Sequence, residues 1–112
     1  VTDPITNRLL GEREDALAQL AVLVQEYDGL VAASEASNAD DEHDPEGATI
    51  GFERAQLAAT IDMTRARIAD LDRALSQVAV GDYGRCETCG GEIGAERLAA
   101  RSSARTCIRC AT

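Results

Sequence analysis

The chain has 112 residues and a mass of 11.9 kDa, enough for one small domain or for an extended element carrying a small module, but not for two full cores. Its 45% apolar fraction is dominated by twenty alanines, against three aromatic residues (Tyr27, Phe52 and Tyr83) and no Trp. Helices packed along a narrow seam suit that composition, and a large enzyme core does not. Eleven basic residues, all Arg, face twenty acidic ones for a formal charge of −9, which repels nucleic acid and anionic membranes outside any local basic patch.

No stretch approaches 18 consecutive apolar residues, so no membrane span is expected. The first ten residues include Asp3, Pro4, Asn7 and Arg8 and lack the apolar run of a signal peptide, which makes a cytoplasmic location the expectation.

Residues 6–36 are rich in Leu, Ala, Glu, Gln and Arg and predict a first helix. Leu10, Leu17, Leu20, Val24, Tyr27 and Val31 are its larger apolar residues, and from Leu17 onward they recur at intervals of 3, 4, 3 and 4. That rhythm predicts a seam against a partner helix. Residues 37–47 interrupt it with five acids and no Arg or Lys. Asp44 and Pro45 read as an N-cap followed by proline at the first helical position, while Gly47 argues for a later start near Thr49.

The second helix is predicted from about 50 to 80. Leu57, Ile61, Thr64, Ile68, Leu71, Leu75 and Val78 recur at 4, 3, 4, 3, 4 and 3, with Arg54, Asp62, Arg65, Arg67, Asp70, Asp72 and Arg73 on the outward face. Two such seams joined by a polar turn predict an all-α fold, a long antiparallel helical hairpin over residues 1–80 with an acidic tip at about 38–48. At 1.5 Å per residue each arm is roughly 45 Å long.

Gly81, Asp82, Tyr83 and Gly84 read as a turn leading to a second part, residues 81–112. The charge divides there. Residues 1–80 hold sixteen acids and six Arg, whereas 81–112 hold four acids, five Arg and all four cysteines. Cys86 and Cys89 form one C-x2-C pair and Cys107 and Cys110 another, seventeen residues on. Two thiolate pairs fill the four tetrahedral positions of one Zn²⁺ and leave none open, so the ion is structural rather than catalytic. Iron in the same thiolate geometry, redox-active pairs and disulfides are the alternatives. The sizeable apolar residues here are Tyr83, Ile93, Leu98 and Ile108, too few to fold without metal. Between the pairs, residues 94–101 predict a short helix. Arg97, Arg101 and Arg105 follow at intervals of four, either as a solvated face or as an edge that contacts an anion or a partner.

The run from Tyr83 through Cys86, Cys89, Gly90 and Gly91 to Ile93, then Arg97 to Arg101, then Cys107 to Cys110, resembles the DksA/TraR family of bacterial C4-type zinc-finger transcription regulators. The resemblance covers about residues 50–110 and extends back to about 38. It implies a non-enzymatic protein that binds RNA polymerase rather than DNA. The hairpin would enter the secondary channel, and its acidic tip would alter initiation near the catalytic centre. The family's tip pattern is Asp-x-x-Asp-x-Ala. One register places Asp41 and Asp44 on the aspartates but Glu46 on the alanine. The other matches His43, Glu46 and Ala48 and keeps the length of the second helix. The register that preserves the aspartates is preferred.

Some family members bind the alarmone guanosine tetraphosphate through cationic groups. Of three such positions this chain keeps Arg101, with Asp70 and Ala111 at the other two, so alarmone binding is not an expectation. A monomer with its seam satisfied internally is expected. The alternatives are a zinc finger that binds nucleic acid through its arginines and a coiled-coil adaptor that dimerises through the Leu/Ile seam.

Overall fold

A computed structural model describes residues 3–38 and 45–111. Within them the chain is all-α: a long antiparallel helix pair, a four-cysteine module and one short helix. Helix α1 runs Pro4–Asn38, α2 Pro45–Val80 and α3 Ala95–Ala100.

Helix α1 begins two residues before the predicted position because Asp3 and Pro4 provide a start signal. Pro4 takes the first helical position, where its missing N–H costs nothing. The Asp3 carboxylate accepts from the backbone N–H of Ile5 at 3.4 Å, and its carbonyl accepts from that of Asn7 at 2.9 Å. Helix α2 likewise starts at Pro45, and Gly47 does not delay it. It ends in a Schellman turn. Gly81, at φ 82°, donates its N–H to Val78, and Asp82 donates to Gln77 at 2.9 Å. A left-handed residue is required there, and glycine accepts it without steric penalty.

By contacts the chain forms two compact units, residues 16–66 and residues 1–15 with 67–112. In the first, α1 buries Ala16 and half-buries Leu20, Leu23, Val24, Tyr27, Leu30 and Val31, while α2 buries Ile61 and Thr64 and half-buries Leu57. The Thr64 hydroxyl donates to the Thr60 carbonyl at 2.8 Å, so its burial leaves no unpaired donor. In the second unit, Leu9 at 0% exposure, Leu71 at 1% and Ala74 at 1% form the helical core, flanked by Ile68, Leu75 and Val78.

Every seam position predicted in α2 is therefore buried or half-buried. In α1 the first seam position is corrected: Leu17 is 40% exposed, as Leu10 before it is at 47%, and the chain buries Leu9 and Ala16 instead. An alanine at 16 lets the facing helix approach closely, and this sets a phase that larger neighbouring leucines concealed. The outward charges of the C-terminal part of α2 also need correction. Asp72 accepts from Arg13 at 2.5 Å, Asp70 pairs with Arg105 at 3.0 Å, and Arg73 turns inward to donate to the Ser103 carbonyl at 3.1 Å.

Candidate metal centre

The four cysteines are presented by two tight turns. In the first, Cys86 accepts a backbone hydrogen bond from Gly90 at 3.0 Å and donates its own N–H to Gly91 at 2.8 Å. Gly90 sits at φ 74°, a conformation that side chains other than glycine resist. The antiparallel bridge between Arg85 and Glu92 closes the base of this turn. In the second turn, Cys110 donates to the Cys107 carbonyl at 3.0 Å, and the Glu87 N–H reaches the Arg105 carbonyl at 2.9 Å to tie the turns together.

The four Sγ atoms all lie within 4.8 Å of one another, and those of Cys89 and Cys107 are 3.9 Å apart. A disulfide would bring two sulfurs to about 2 Å. Tetrahedral Zn–S bonds of about 2.3 Å place sulfurs about 3.8 Å apart, so the cluster has the spacing of a four-thiolate zinc site. Its electrostatics point the same way. The Cys89 backbone N–H, ahead of that of Cys107, pulls the Cys86 thiol down to about 6. The Cys110 N–H lowers Cys107, whereas Cys110 is pushed up to about 12, first by its hydrogen bond with Cys107 and then by burial. Four crowded sulfurs cannot all ionise unaided, and a divalent cation is what allows them to. Cys86, Cys89, Cys107 and Cys110 form a structural Zn²⁺ site with no position left for a substrate.

Around the sulfurs, Cys86, Ile93, Ala104 and Cys107 form the module's small core, with Leu98 and Cys110 packed against it. Residues 81–112 match the prokaryotic DksA/TraR C4-type zinc finger. The four-cysteine module is thus a zinc finger of the DksA/TraR type. Relatives of the chain include the RNA polymerase-binding transcription factor DksA of Escherichia coli, 45% identical over 51 residues that make up 46% of this chain and 34% of that protein. The DksA of Haemophilus influenzae is 39% identical over 51 residues, 46% of this chain and 35% of that one. The chain thus spans about a third of the length of these curated relatives. The structure of transcription factor DksA2 from Pseudomonas aeruginosa superposes with a TM-score of 0.75 at 25% identity, over 94% of this chain and 75% of that one.

Side chains from both long helices grip the zinc module. Arg8 of α1 donates to the carbonyls of Leu98 and Ala99 at 3.1 and 2.7 Å, satisfying acceptors at the end of α3. Glu12 pairs with Arg8 at 3.5 Å and accepts from the Ser102 hydroxyl. The Tyr83 hydroxyl donates to the Ser102 carbonyl at 2.7 Å, and burial raises its pKa. From α2, Arg73 approaches Glu87 at 3.5 Å, and Arg105 bridges Asp70 and Glu87. Sequence reasoning missed Arg8, Glu12 and Arg73 because each acts on groups 30 to 91 residues away. Arg8→Ala is expected to cost about 1 kcal/mol in urea denaturation and to speed amide exchange in α3.

Of the three arginines read as one edge, Arg97 and Arg101 line one groove with Glu96, Ala100 and Ile108. Helix α3 stops at Ala100, so its face does not continue to Arg105. Arg97 donates to the Thr106 carbonyl at 2.7 Å, and Arg105 is held by its carboxylates. Arg101 is exposed. Of the tip residues, Asp41, His43 and Asp44 lie outside the described residues. Glu46 falls within the first turn of α2, and Ala48 follows it as an exposed residue.

Proposed function

We propose that this protein is a non-enzymatic regulator of transcription that binds RNA polymerase and inserts its acidic segment, about residues 38–48, into the secondary channel to modulate initiation. The observation that carries this reading is the joining of a DksA/TraR zinc finger to a long antiparallel helix pair, an arrangement shared with DksA2 over 94% of the chain. The closed thiolate site supports a scaffolding role for the metal. No helix among the described residues is long and apolar enough to cross a membrane.

In this reading Asp41 and Asp44 act on the polymerase through charge-assisted contacts, with Glu46, His43 and Ala48 completing the tip. The protein works as a monomer, because α1 and α2 bury their seams within one chain. Arg101 is a candidate partner contact, whereas Arg97 and Arg105 are committed to internal bonds. Guanosine tetraphosphate is not part of the proposal, since Asp70 pairs with Arg105 where an alarmone-binding relative offers a cation.

Replacing Asp41 and Asp44 with Asn tests the tip. Polymerase binding should stay within about twofold of the parent while the effect on initiation in a purified transcription assay disappears. Unchanged regulation by the double variant would contradict the role given to the aspartates.

A further inference from the structure

The four sulfur ligands are not equally enclosed. Cys86 and Cys107, the first cysteine of each pair, are 2% and 6% exposed and belong to the module's core, and Cys110 packs half-buried against it. Cys89 alone of the four stands outside that core and is exposed. Buried structural thiolates are inert, so an accessible one marks where the cluster can be attacked.

The residue beside that sulfur explains the opening. Gly91 donates its backbone N–H to the Cys89 Sγ at 3.4 Å, while its carbonyl accepts from the Cys86 N–H at 2.8 Å. Unlike Gly81, Gly84, Gly90 and Gly94, it does not take a positive φ, so the backbone does not call for glycine there. The atom that a Cβ at position 91 would meet is the Cys89 Sγ, at 3.4 Å, an ordinary van der Waals contact. A side chain would therefore fit, and it would lie on the sulfur. It would also restrict the unfolded chain and so favour folding, a gain that glycine forgoes. What glycine leaves instead is an uncovered ligand.

We infer that Gly91 makes Cys89 the gate of the metal centre, the ligand at which zinc is exchanged with outside donors. Cys89 is the first of the four sulfurs to leave the ion and the last to close on it. Its sulfur departs with the bonding electron pair and takes a proton from water. An incoming thiolate or chelating amine supplies the replacing pair, and no atom changes oxidation state. Cys86, Cys107 and Cys110 stay seated in the core meanwhile, and the Gly91 N–H keeps the Cys89 thiolate near its place for return. The inference does not depend on the polymerase-binding reading.

The test uses the full-length, zinc-loaded chain and two readouts. Brief treatment with N-ethylmaleimide, quenched before most chains carry an adduct and followed by peptide mass spectrometry, should place the first adduct on Cys89. Zinc transfer to the chromogenic chelator 4-(2-pyridylazo)resorcinol should speed up with chelator concentration in the parent. Gly91→Ala should slow both reactions about threefold and Gly91→Val about tenfold, while amide exchange at Ile93 and Cys107 stays within about twofold of the parent. Gly29→Ala, at a glycine of α1 with open space around it, should change neither reaction. A first adduct on Cys86, Cys107 or Cys110 of the parent would overturn the inference, and that readout needs no variant. So would zinc transfer from Gly91→Ala and Gly91→Val as fast as from the parent, or a slowing matched by an equal rise in amide protection, which is what a merely tighter fold would give.

Discussion

Replacement of Cys107 by Ser, or removal of zinc by a chelator, is expected to unfold residues 84–110 while leaving most of the helix content in place. Cys107 is 6% exposed and belongs to a core whose other buried members are Cys86, Ile93 and Ala104. Four residues of that size cannot offset the conformational entropy of ordering the module, so the metal–thiolate bonds must contribute on the order of 10 kcal/mol. Zinc content should fall from one ion per chain toward none, and amide exchange should become fast across both cysteine turns. The far-UV circular dichroism should change little, because α1 and α2 contain 35 and 36 residues and α3 only six. The first turns of α1 should also lose protection, since Arg8 and Glu12 would lose Leu98, Ala99 and Ser102. A metal-free module that kept its amides protected would contradict this account of its stability.

Leu71→Ala should cost about 2–5 kcal/mol, because a fully enclosed leucine leaves a cavity that its neighbours fill only in part. Leu17→Ala should cost no more than about 0.5 kcal/mol, since Leu17 is 40% exposed and alanine is the better helix former. Urea denaturation followed at 222 nm reads both. Equal losses for the two variants would mean that α1 packs in the phase its larger leucines suggest, rather than through Leu9 and Ala16.

That contrast shows what the residues disclose on their own. The seam of α2 was legible along its whole length because bulky side chains mark nearly every facing position from Leu57 to Val78. In α1 one facing position is Ala16, which carries little periodic signal, and Leu10 and Leu17 supply a competing one. The metal centre was legible because thiolate chemistry and two short spacings are local properties. The grip of Arg8, Glu12 and Arg73 on the module was not. Helical arginines and glutamates satisfy the same local rules whether they face water or a distant carbonyl, and only the tertiary fold brings Arg8 to Ala99.

The central claim is that the helix pair and its zinc module form a polymerase-binding protein. Mass photometry of purified core RNA polymerase mixed with an excess of the labelled, zinc-loaded chain tests it most directly, with label counting on the resolved complex. The account predicts one chain per polymerase, and the same stoichiometry for the Asp41→Asn/Asp44→Asn variant. A polymerase peak carrying no label would contradict it.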